Sequence, residues 1–124
     1  MTGFLDTATI VDFLRGYPPC EEWLRQQQSL AITPVVWLEI IEGALNRQAQ
    51  RKAIALLRHF ERVDLTPADF DWSIQKALDL RLSHNVDLMD CLIASVAHRL
   101  GSPLYTPNLK HFTPLLGALA RKPY

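Results

Sequence analysis

The chain has 124 residues, 48% apolar and 21% charged, and its 13 basic side chains balance 13 acidic ones. These values are ordinary for a globular domain, and the length predicts a single domain over 1–124. No apolar run approaches the roughly 18 residues of a membrane span, and the N-terminus lacks a basic signal-peptide start. Cys20 and Cys91 have no C-x-x-C spacing, which excludes a disulfide scaffold and favours a reduced, cytoplasmic chain with no membrane partner.

The first half of the chain alternates short strands with helices. Residues 3–5 predict a strand, and the apolar spacing over 10–14 predicts a helix after it. A further short helix leads to a second strand at 30–32. The pair Thr33-Pro34 then begins a helix whose apolar stripe runs over 37–45, since Thr is a favourable N-cap and Pro a favourable first residue. Another helix follows, with apolar side chains at helical spacing over 53–60.

The second half repeats this alternation. Residues 63–65 predict a third strand, and a Thr-Pro-Ala-Asp capping box begins a helix over 66–83. The next helix covers 87–100 and ends at a glycine, the usual C-terminal residue. A fourth strand is predicted at 103–105 and a short fifth within 115–120. Strands that alternate with helices predict an α/β fold with three layers, α/β/α, around a central parallel sheet of four to five strands.

Polar side chains cluster where the predicted strands end. Asp6 follows the first strand, Thr106 and Asn108 follow the fourth, Asp90 lies in the first turn of the helix before the fourth, and Glu39 lies on the helix after the second. Ligands of open parallel sheets bind at the carboxyl ends of the strands, where the strand order reverses. Carboxylates gathered there repel one another unless they share a cation, and oxygen ligands suit Mg²⁺ or Mn²⁺.

Each of these residues also has a structural interpretation. Asp6 is well placed to cap the following helix, and Asp90 to close a capping box with Asp87. Glu39 and Glu42 are three residues apart on one helix, and the spacing does not decide which of them faces the site. An Asn in a loop after a strand is more often a turn residue than a ligand.

Basic side chains are concentrated in residues 43–62, where only Glu61 is acidic. This segment either binds an anion or forms the solvated face of a helix. The four histidines have no spacing typical of a zinc site or a Ser-His-Asp triad, and no glycine-rich phosphate loop is present. The bases of the segment are Arg47, Arg51, Lys52, Arg58 and Arg62.

Four short motifs together resemble a known family. Leu5–Thr7, Glu39–Ala44, Asp90–Ala94 and Thr106–Phe112 are similar to the PIN-domain pattern, and more narrowly to the VapC-type toxins of prokaryotic toxin–antitoxin pairs. Each motif alone is weak, but four in this order at family spacing are specific. The resemblance covers essentially the whole chain.

The resemblance implies a metal-dependent endoribonuclease with a single PIN-like domain. In this interpretation Asp6 and Asp90 bind Mg²⁺ directly, with Mn²⁺ able to replace it, and Glu39 binds directly or through water. Thr106 orients a carboxylate or a bound water. Asn108 stands where many members of the family carry an aspartate, which favours one metal ion over two.

The resemblance also implies partners. The substrate would be RNA, with transfer or ribosomal RNA expected, and a VapB-type antitoxin would neutralise the toxin. RNA phosphates would be contacted by basic residues, and a homodimer is expected because the helices at 35–45 and 49–60 carry more large apolar side chains than a monomer of this size buries. The candidate RNA-contacting residues are Arg47, Arg51, Lys52 and Lys110.

Two other classes of protein share part of this pattern. A phosphatase of the haloacid-dehalogenase type also begins with an Asp after its first strand, but it requires D-x-D, and Ala8 occupies the second position. A PIN-fold protein that binds RNA or a partner without cutting is the stronger alternative, because Asn108 lacks a charge. Asp12, whose neighbours Val11 and Phe13 are apolar, is expected to face outward.

Overall fold

Five short parallel strands form the central sheet of the structure, a computed structural model that describes residues 3–124. They are β1 (Gly3–Leu5), β2 (Leu30–Ile32), β3 (Glu61–Arg62), β4 (Leu104–Tyr105) and β5 (Ala120–Arg121). Their order in the sheet is β3-β2-β1-β4-β5. β1 is therefore the central strand, and the predicted parallel sheet of four to five strands is confirmed.

Helices connect consecutive strands within the described part of the chain. Right-handed crossovers from β1 to β2 to β3 place their helices on one face, and those from β3 to β4 to β5 place theirs on the other. This confirms the predicted α/β architecture with helices on both faces of the sheet. The helices are α1 (Thr7–Leu14), α2 (Pro18–Arg25), α3 (Pro34–Gly43), α4 (Arg47–Leu57), α5 (Pro67–His84), α6 (Leu88–Leu100) and α7 (Leu109–Leu116).

The three inner strands are apolar, and all their residues except the partly buried Tyr105 are buried. Because helices cover both faces, β1, β2 and β4 are continuous apolar segments without the alternation of a half-exposed strand. Phe4 and Leu5 of β1 are each 1% exposed, and Phe4 pairs with Ala31 on one side and with Leu104 on the other. The core therefore fixes the position at which the chain leaves β1.

An ion pair between the buried Asp69 and the partly exposed Arg99 joins α5 to α6. The predicted capping box is present, since Thr66 N–H donates to Asp69 Oδ2 and Asp69 N–H donates to Thr66 Oγ1. Asp69 also accepts a hydrogen bond of 2.9 Å from Arg99 Nε. Burial alone would raise the pKa of Asp69, but the bonds from Arg99 and Thr66 and the Arg99 charge together lower it. These contacts anchor α6, the helix that carries Asp90.

Three predicted boundaries in the middle of the chain are wrong. The third strand is Glu61–Arg62, not 63–65, and both of its residues are exposed at the edge of the sheet, so no apolar pattern marks it. α4 ends at Leu57, and Phe60 lies beyond it. The α3 helix ends at Gly43, and Leu45 is 95% exposed.

The C-terminal segment also differs from the prediction. Residues 109–116 form α7, although Pro114 lies inside it, because the helix buries Phe112, Leu115 and Leu116. A single 3-10 turn (Gly117–Leu119) then leads to β5 at Ala120–Arg121, so the fifth strand exists but begins at the last predicted residue. Burial of one apolar face outweighs the hydrogen bond lost at the proline.

Within residues 3–124, none of the helices combines the length and the apolar character that a membrane span requires.

Candidate active site

The candidate site lies where the strand order of the sheet reverses, between β1 and β4. After β1 the chain crosses to β2 on one side, and after β4 it crosses to β5 on the other, so a crevice opens between the ends of β1 and β4. Asp6 follows β1 directly, and Thr106 follows β4. The Thr106 hydroxyl donates a 2.8 Å hydrogen bond to Asp6 Oδ2. The structure thus brings together the first and fourth predicted motifs.

Asp6 is a buried acid rather than a helix cap. It occupies the residue before α1, but its side chain makes no capping hydrogen bond, and it is 3% exposed. Burial raises the pKa of Asp6 from 3.8 to about 6, with the Glu39 charge adding to the increase and the bond from Thr106 opposing it. The carboxylate is held in place but is poorly solvated, an arrangement that favours a cationic ligand.

Glu39, not Glu42, faces the site. Thr7 Oγ1 donates a 2.6 Å hydrogen bond to Glu39 Oε1, which ties α3 to the residue after Asp6. The Glu39 charge raises the pKa of both Asp6 and Asp90, so all three acids share one electrostatic environment. Sequence reasoning missed the role of Thr7, although its position beside Asp6 was a signal.

Asp90 completes the acidic group. Asp87, not Asp90, caps α6: Asp87 Oδ1 accepts from the N–H groups of Met89 and Asp90 at 2.8 and 3.2 Å. The Asp90 side chain is 15% exposed. Burial, followed by the charges of Asp6, Asp87 and Glu39, raises the pKa of Asp90 from 3.8 to about 7.

Asn108 lies at the rim of the crevice. Its backbone N–H donates to Thr106 Oγ1 at 3.0 Å, which holds the loop between β4 and α7. Asn108 is the residue before α7, and its side chain makes no capping hydrogen bond. The exposed Asn108 amide therefore borders the same crevice as the three acids.

The crevice is a depression of about 520 Å³ lined by both acidic and basic side chains. Arg15, at the end of α1, and His111, in the first turn of α7, line it together with the acids. His111 Nδ1 lies 3.9 Å from Asp90 Oδ2. Arg15 was missed, although it is the only base between Asp6 and Pro18.

The predicted RNA-contacting residues are not all near the acids. Arg47, Arg51 and Lys52 are exposed on α4, and Lys52 lines a groove that also includes Glu39. Arg47 and Arg51 are not among the described residues that line this groove or the acidic crevice. Lys110 is exposed in the first turn of α7, next to His111.

Asp12 does not face freely outward. The Tyr124 hydroxyl donates a 2.5 Å hydrogen bond to Asp12 Oδ2, and Tyr124 packs edge-on against Tyr17 and Trp23. The expectation from the spacing of Val11 and Phe13 is wrong because the C-terminal residue folds back onto α1. Asp12 is therefore unsuitable as a neutral control in mutagenesis.

The donor set fits a hard divalent cation. Asp6 and Asp90 are two poorly solvated carboxylates, and each pKa is raised in part by a neighbouring negative charge, which a bound cation would offset. Among residues 3–124, no three His, Cys, Asp or Glu side chains form a ready-made metal cluster. Mg²⁺ commonly keeps several waters and uses one or two carboxylates, so two direct ligands suffice.

The chain is thus an α/β protein whose acidic site lies where the strand order of its parallel sheet reverses, between β1 and β4. The sequence matches the PIN domain family over residues 3–110, and the chain belongs to that family. No curated protein matches the sequence significantly.

Several solved structures share the fold. A toxin–antitoxin complex from Klebsiella pneumoniae has a TM-score of 0.76 and 21% identity, with 98% of each chain covered. VapBC2 from Rickettsia felis, bound to a fragment of promoter DNA, has a TM-score of 0.73 and 24% identity, with 89% of each chain covered. DNA-bound VapBC from Salmonella typhimurium has a TM-score of 0.72 and 24% identity, with 90% of this chain and 91% of that chain covered.

The raised pKa of Asp90 makes a prediction about stability in metal-free buffer. Because the folded state holds the Asp90 proton more tightly than the unfolded state does, wild-type stability falls as the pH rises from about 4 to about 7. Asp90→Asn removes that ionisation. We expect the variant to be more stable than wild type at pH 8, by about 1–3 kcal/mol, and the difference to shrink towards pH 4.

Urea unfolding in EDTA at several pH values measures this difference. Asp71→Asn, an exposed change on α5, is the matched control and should follow the wild-type curve. An Asp90→Asn variant less stable than wild type at pH 8 would contradict the electrostatic description of the site.

Proposed function

We propose that this chain is a VapC-type toxin, an Mg²⁺-dependent endoribonuclease that a VapB-type antitoxin neutralises. The observation that carries the proposal is the convergence of Asp6, Glu39 and Asp90 on one crevice, with raised pKa values at both aspartates. Membership of the PIN domain family supports it, as does the likeness to structures described as toxin–antitoxin complexes. The expected cytoplasmic location belongs to the same proposal.

Asp6 and Asp90 would hold the cation directly, with Glu39 and Asn108 holding its waters. Mn²⁺ would be an acceptable substitute, since it also prefers oxygen ligands. When bound, such an ion lowers the pKa of an attached water and neutralises charge on a scissile phosphate. One ion is favoured over two, because Asn108 contributes no charge.

Two threonines position the acids for this role. Thr106 donates to one oxygen of Asp6, and this bond fixes the plane of the carboxylate. Thr7 does the same for Glu39. A hydrogen bond from a neutral hydroxyl group leaves each acid able to ionise. It also holds the acid's side chain in one rotamer, so less conformational entropy would be lost when the cation binds. Attack by water, rather than by the ribose 2′-hydroxyl, would leave a 5′-phosphate on the RNA product.

The RNA substrate, transfer or ribosomal RNA, would be held by basic side chains around the crevice. Arg15 lines the acidic crevice. Lys110 lies next to His111, which also lines it. Lys52 lies along the groove that leads from Glu39, and Arg47 and Arg51 continue the basic surface on α4. Contacts of this kind position the phosphate backbone without reading the sequence of bases.

An apolar groove adjoining the crevice suits an antitoxin segment. The groove, about 470 Å³, lies between α1, α3 and α4 and is lined by Val11, Leu14 and Ile40. It shares Arg15 and Glu39 with the acidic crevice. A peptide seated in the groove would therefore reach the acids and block access to them, which gives neutralisation a direct steric route.

The homodimer is proposed to form through α3 and α5. The expected excess of exposed apolar side chains at 49–60 is not present, because Ala53 and Leu57 are buried. On α5, however, four apolar side chains spaced four residues apart are exposed, and Phe70 lines a groove of about 530 Å³ with Leu38 of α3. In a two-fold dimer this face would pack against the same face of a second copy. The α5 side chains are Phe70, Ile74, Leu78 and Leu82.

Replacement of Asp6 tests the nuclease. Asp6→Ala removes a direct metal ligand, so we expect cleavage of a transfer and ribosomal RNA pool in Mg²⁺ to fall by about 10³-fold or more. Growth inhibition by the chain expressed without its antitoxin should disappear as well. The measurement is the initial rate of cleavage on gels, together with the chemistry of the new 5′ ends.

Asp71→Ala, an exposed aspartate on α5, is the matched control and should retain activity. A folded Asp6→Ala variant that still cuts would contradict the metal-nuclease assignment. A wild-type chain that binds RNA but does not cut it in Mg²⁺ or Mn²⁺ would favour the second candidate, a non-cutting PIN-fold binding module, which the neutral Asn108 keeps open.

Replacement of an exposed leucine tests the dimer. Leu78 is 73% exposed, so Leu78→Asp should leave the fold intact while placing a charge in the proposed interface. We expect the dimer dissociation constant to rise at least about tenfold in sedimentation velocity. Ala55→Asp, on the exposed side of α4, should leave the dimer unchanged. A wild-type chain that is monomeric at micromolar concentration would contradict the proposal.

A further inference from the structure

A basic cavity lies beside the acidic crevice. It has a volume of about 630 Å³ and lies where the end of α5, the turn to α6 and the first turns of α7 meet. Asp87 and His111 line both the cavity and the crevice, so the two depressions are continuous. The basic side chains of the cavity are Arg81, His84, Lys110 and His111.

The wall of the cavity is rigidly built. Asn85 adopts the left-handed conformation, with φ 52° and ψ 42°, and turns the chain sharply at the end of α5. Val86, which follows, is 4% exposed. Arg81 Nη1 donates a 2.8 Å hydrogen bond to the Val86 carbonyl, which braces this turn and leaves other N–H groups of the guanidinium for a ligand.

The charges in the cavity are not explained by helix stability alone. Arg81 and His84 lie in the last turn of α5, where positive charge is favourable. Lys110 and His111 lie in the first turn of α7, which contains no acid and where positive charge is unfavourable. The placement of Lys110 thus costs stability, and such a cost is typical of a functional position.

The two permanent cations of the cavity, Arg81 and Lys110, are not neutralised by neighbouring acids. No ion pair within the described part of the chain involves Arg81 or Lys110. The acid that lines the cavity, Asp87, directs Oδ1 to the N–H groups of Met89 and Asp90 at the start of α6. Because Arg81, His84 and Lys110 are exposed, their donors are accessible to an anion from solution.

We propose that this cavity is a phosphate-binding subsite that holds the RNA backbone next to the scissile bond. The inference rests on the proposed nuclease function for the choice of RNA as the anion. Continuity with the acidic crevice supports that choice, since a strand whose scissile phosphate lies at Asp6 and Asp90 would carry its next phosphates past His111. Arg and Lys bind phosphate through charge-assisted hydrogen bonds, and these fix the register of the strand without reading bases.

The test is RNA binding separated from cleavage. A short fluorescein-labelled single-stranded RNA is titrated with the full chain in EDTA, and anisotropy is followed over a series of salt concentrations. We expect Lys110→Ala combined with His84→Ala to weaken binding about tenfold or more, and to reduce the slope of log affinity against log salt by about one unit. Lys110→Arg should retain wild-type binding, because it keeps the cation.

Arg58→Ala is the matched control. It removes one exposed charge just after α4, beside His59, which lines a different depression near the start of β2. Binding by this variant should equal that of wild type. In Mg²⁺, the cavity variant should raise KM for RNA cleavage by more than it lowers kcat, since it removes positioning contacts and no metal ligand.

The outcomes separate this inference from the proposed function. A chain that does not cut but whose RNA binding depends on Lys110 and His84 would support the subsite and contradict the nuclease. A chain that cuts, with cavity variants that bind RNA as wild type does, would overturn the subsite alone. The subsite is also overturned if the wild-type chain does not bind the RNA.

Discussion

The structure depends on one electrostatic conflict, the burial of ionisable carboxyl groups where the central sheet divides. Asp6 directly follows the central strand and is almost fully buried. Glu39 of α3 and Asp90 of α6 lie close enough to it for their charges to interact. Without a cation, each negative charge makes the others harder to ionise. The fold accepts this cost because both faces of the sheet bury apolar side chains, and because the Asp69–Arg99 ion pair anchors the helix that carries Asp90.

The surroundings of the acids divide into surfaces of different chemistry. On one side an apolar groove, lined by Val11 and Ile40, runs from Glu39 between α1, α3 and α4. On the other, a cavity that contains Arg81 of α5 and Lys110 of α7, neither in an ion pair within the described residues, adjoins the crevice at His111. In the proposed nuclease this separation would aid substrate binding, because the basic side chains would attract a polyanion and the carboxylates would repel it until a metal ion is bound. A neutral chain achieves this by local placement of charge, not by net charge.

Much of the site could be predicted from the sequence, because its main residues follow strands. Asp6 and Thr106 each follow an apolar segment, and parallel strands bring such residues to one edge of the sheet. The spacing of Glu39 and Glu42 leaves the choice between them open, and only the family resemblance favours Glu39. The hydrogen bond from Thr7 that holds Glu39 joins residues 32 positions apart, so no local pattern reveals it. Elements of two residues, such as β3, have no periodicity to detect. The basic cavity could not be predicted from the sequence either, because Arg81 and Lys110 come together only through the packing of α5 and α7.

The central claim is that a divalent cation offsets the repulsion between Asp6 and Asp90, and carboxyl ¹³C NMR titration tests it most directly. In EDTA, the apparent pKa values of this coupled pair should lie well above the ordinary 3.8, near about 6 and about 7. Saturating Mg²⁺ should lower both, because the ion binds only the ionised acids. Titration curves that Mg²⁺ leaves unchanged, or Mg²⁺ binding that persists in Asp6→Asn, would contradict the account.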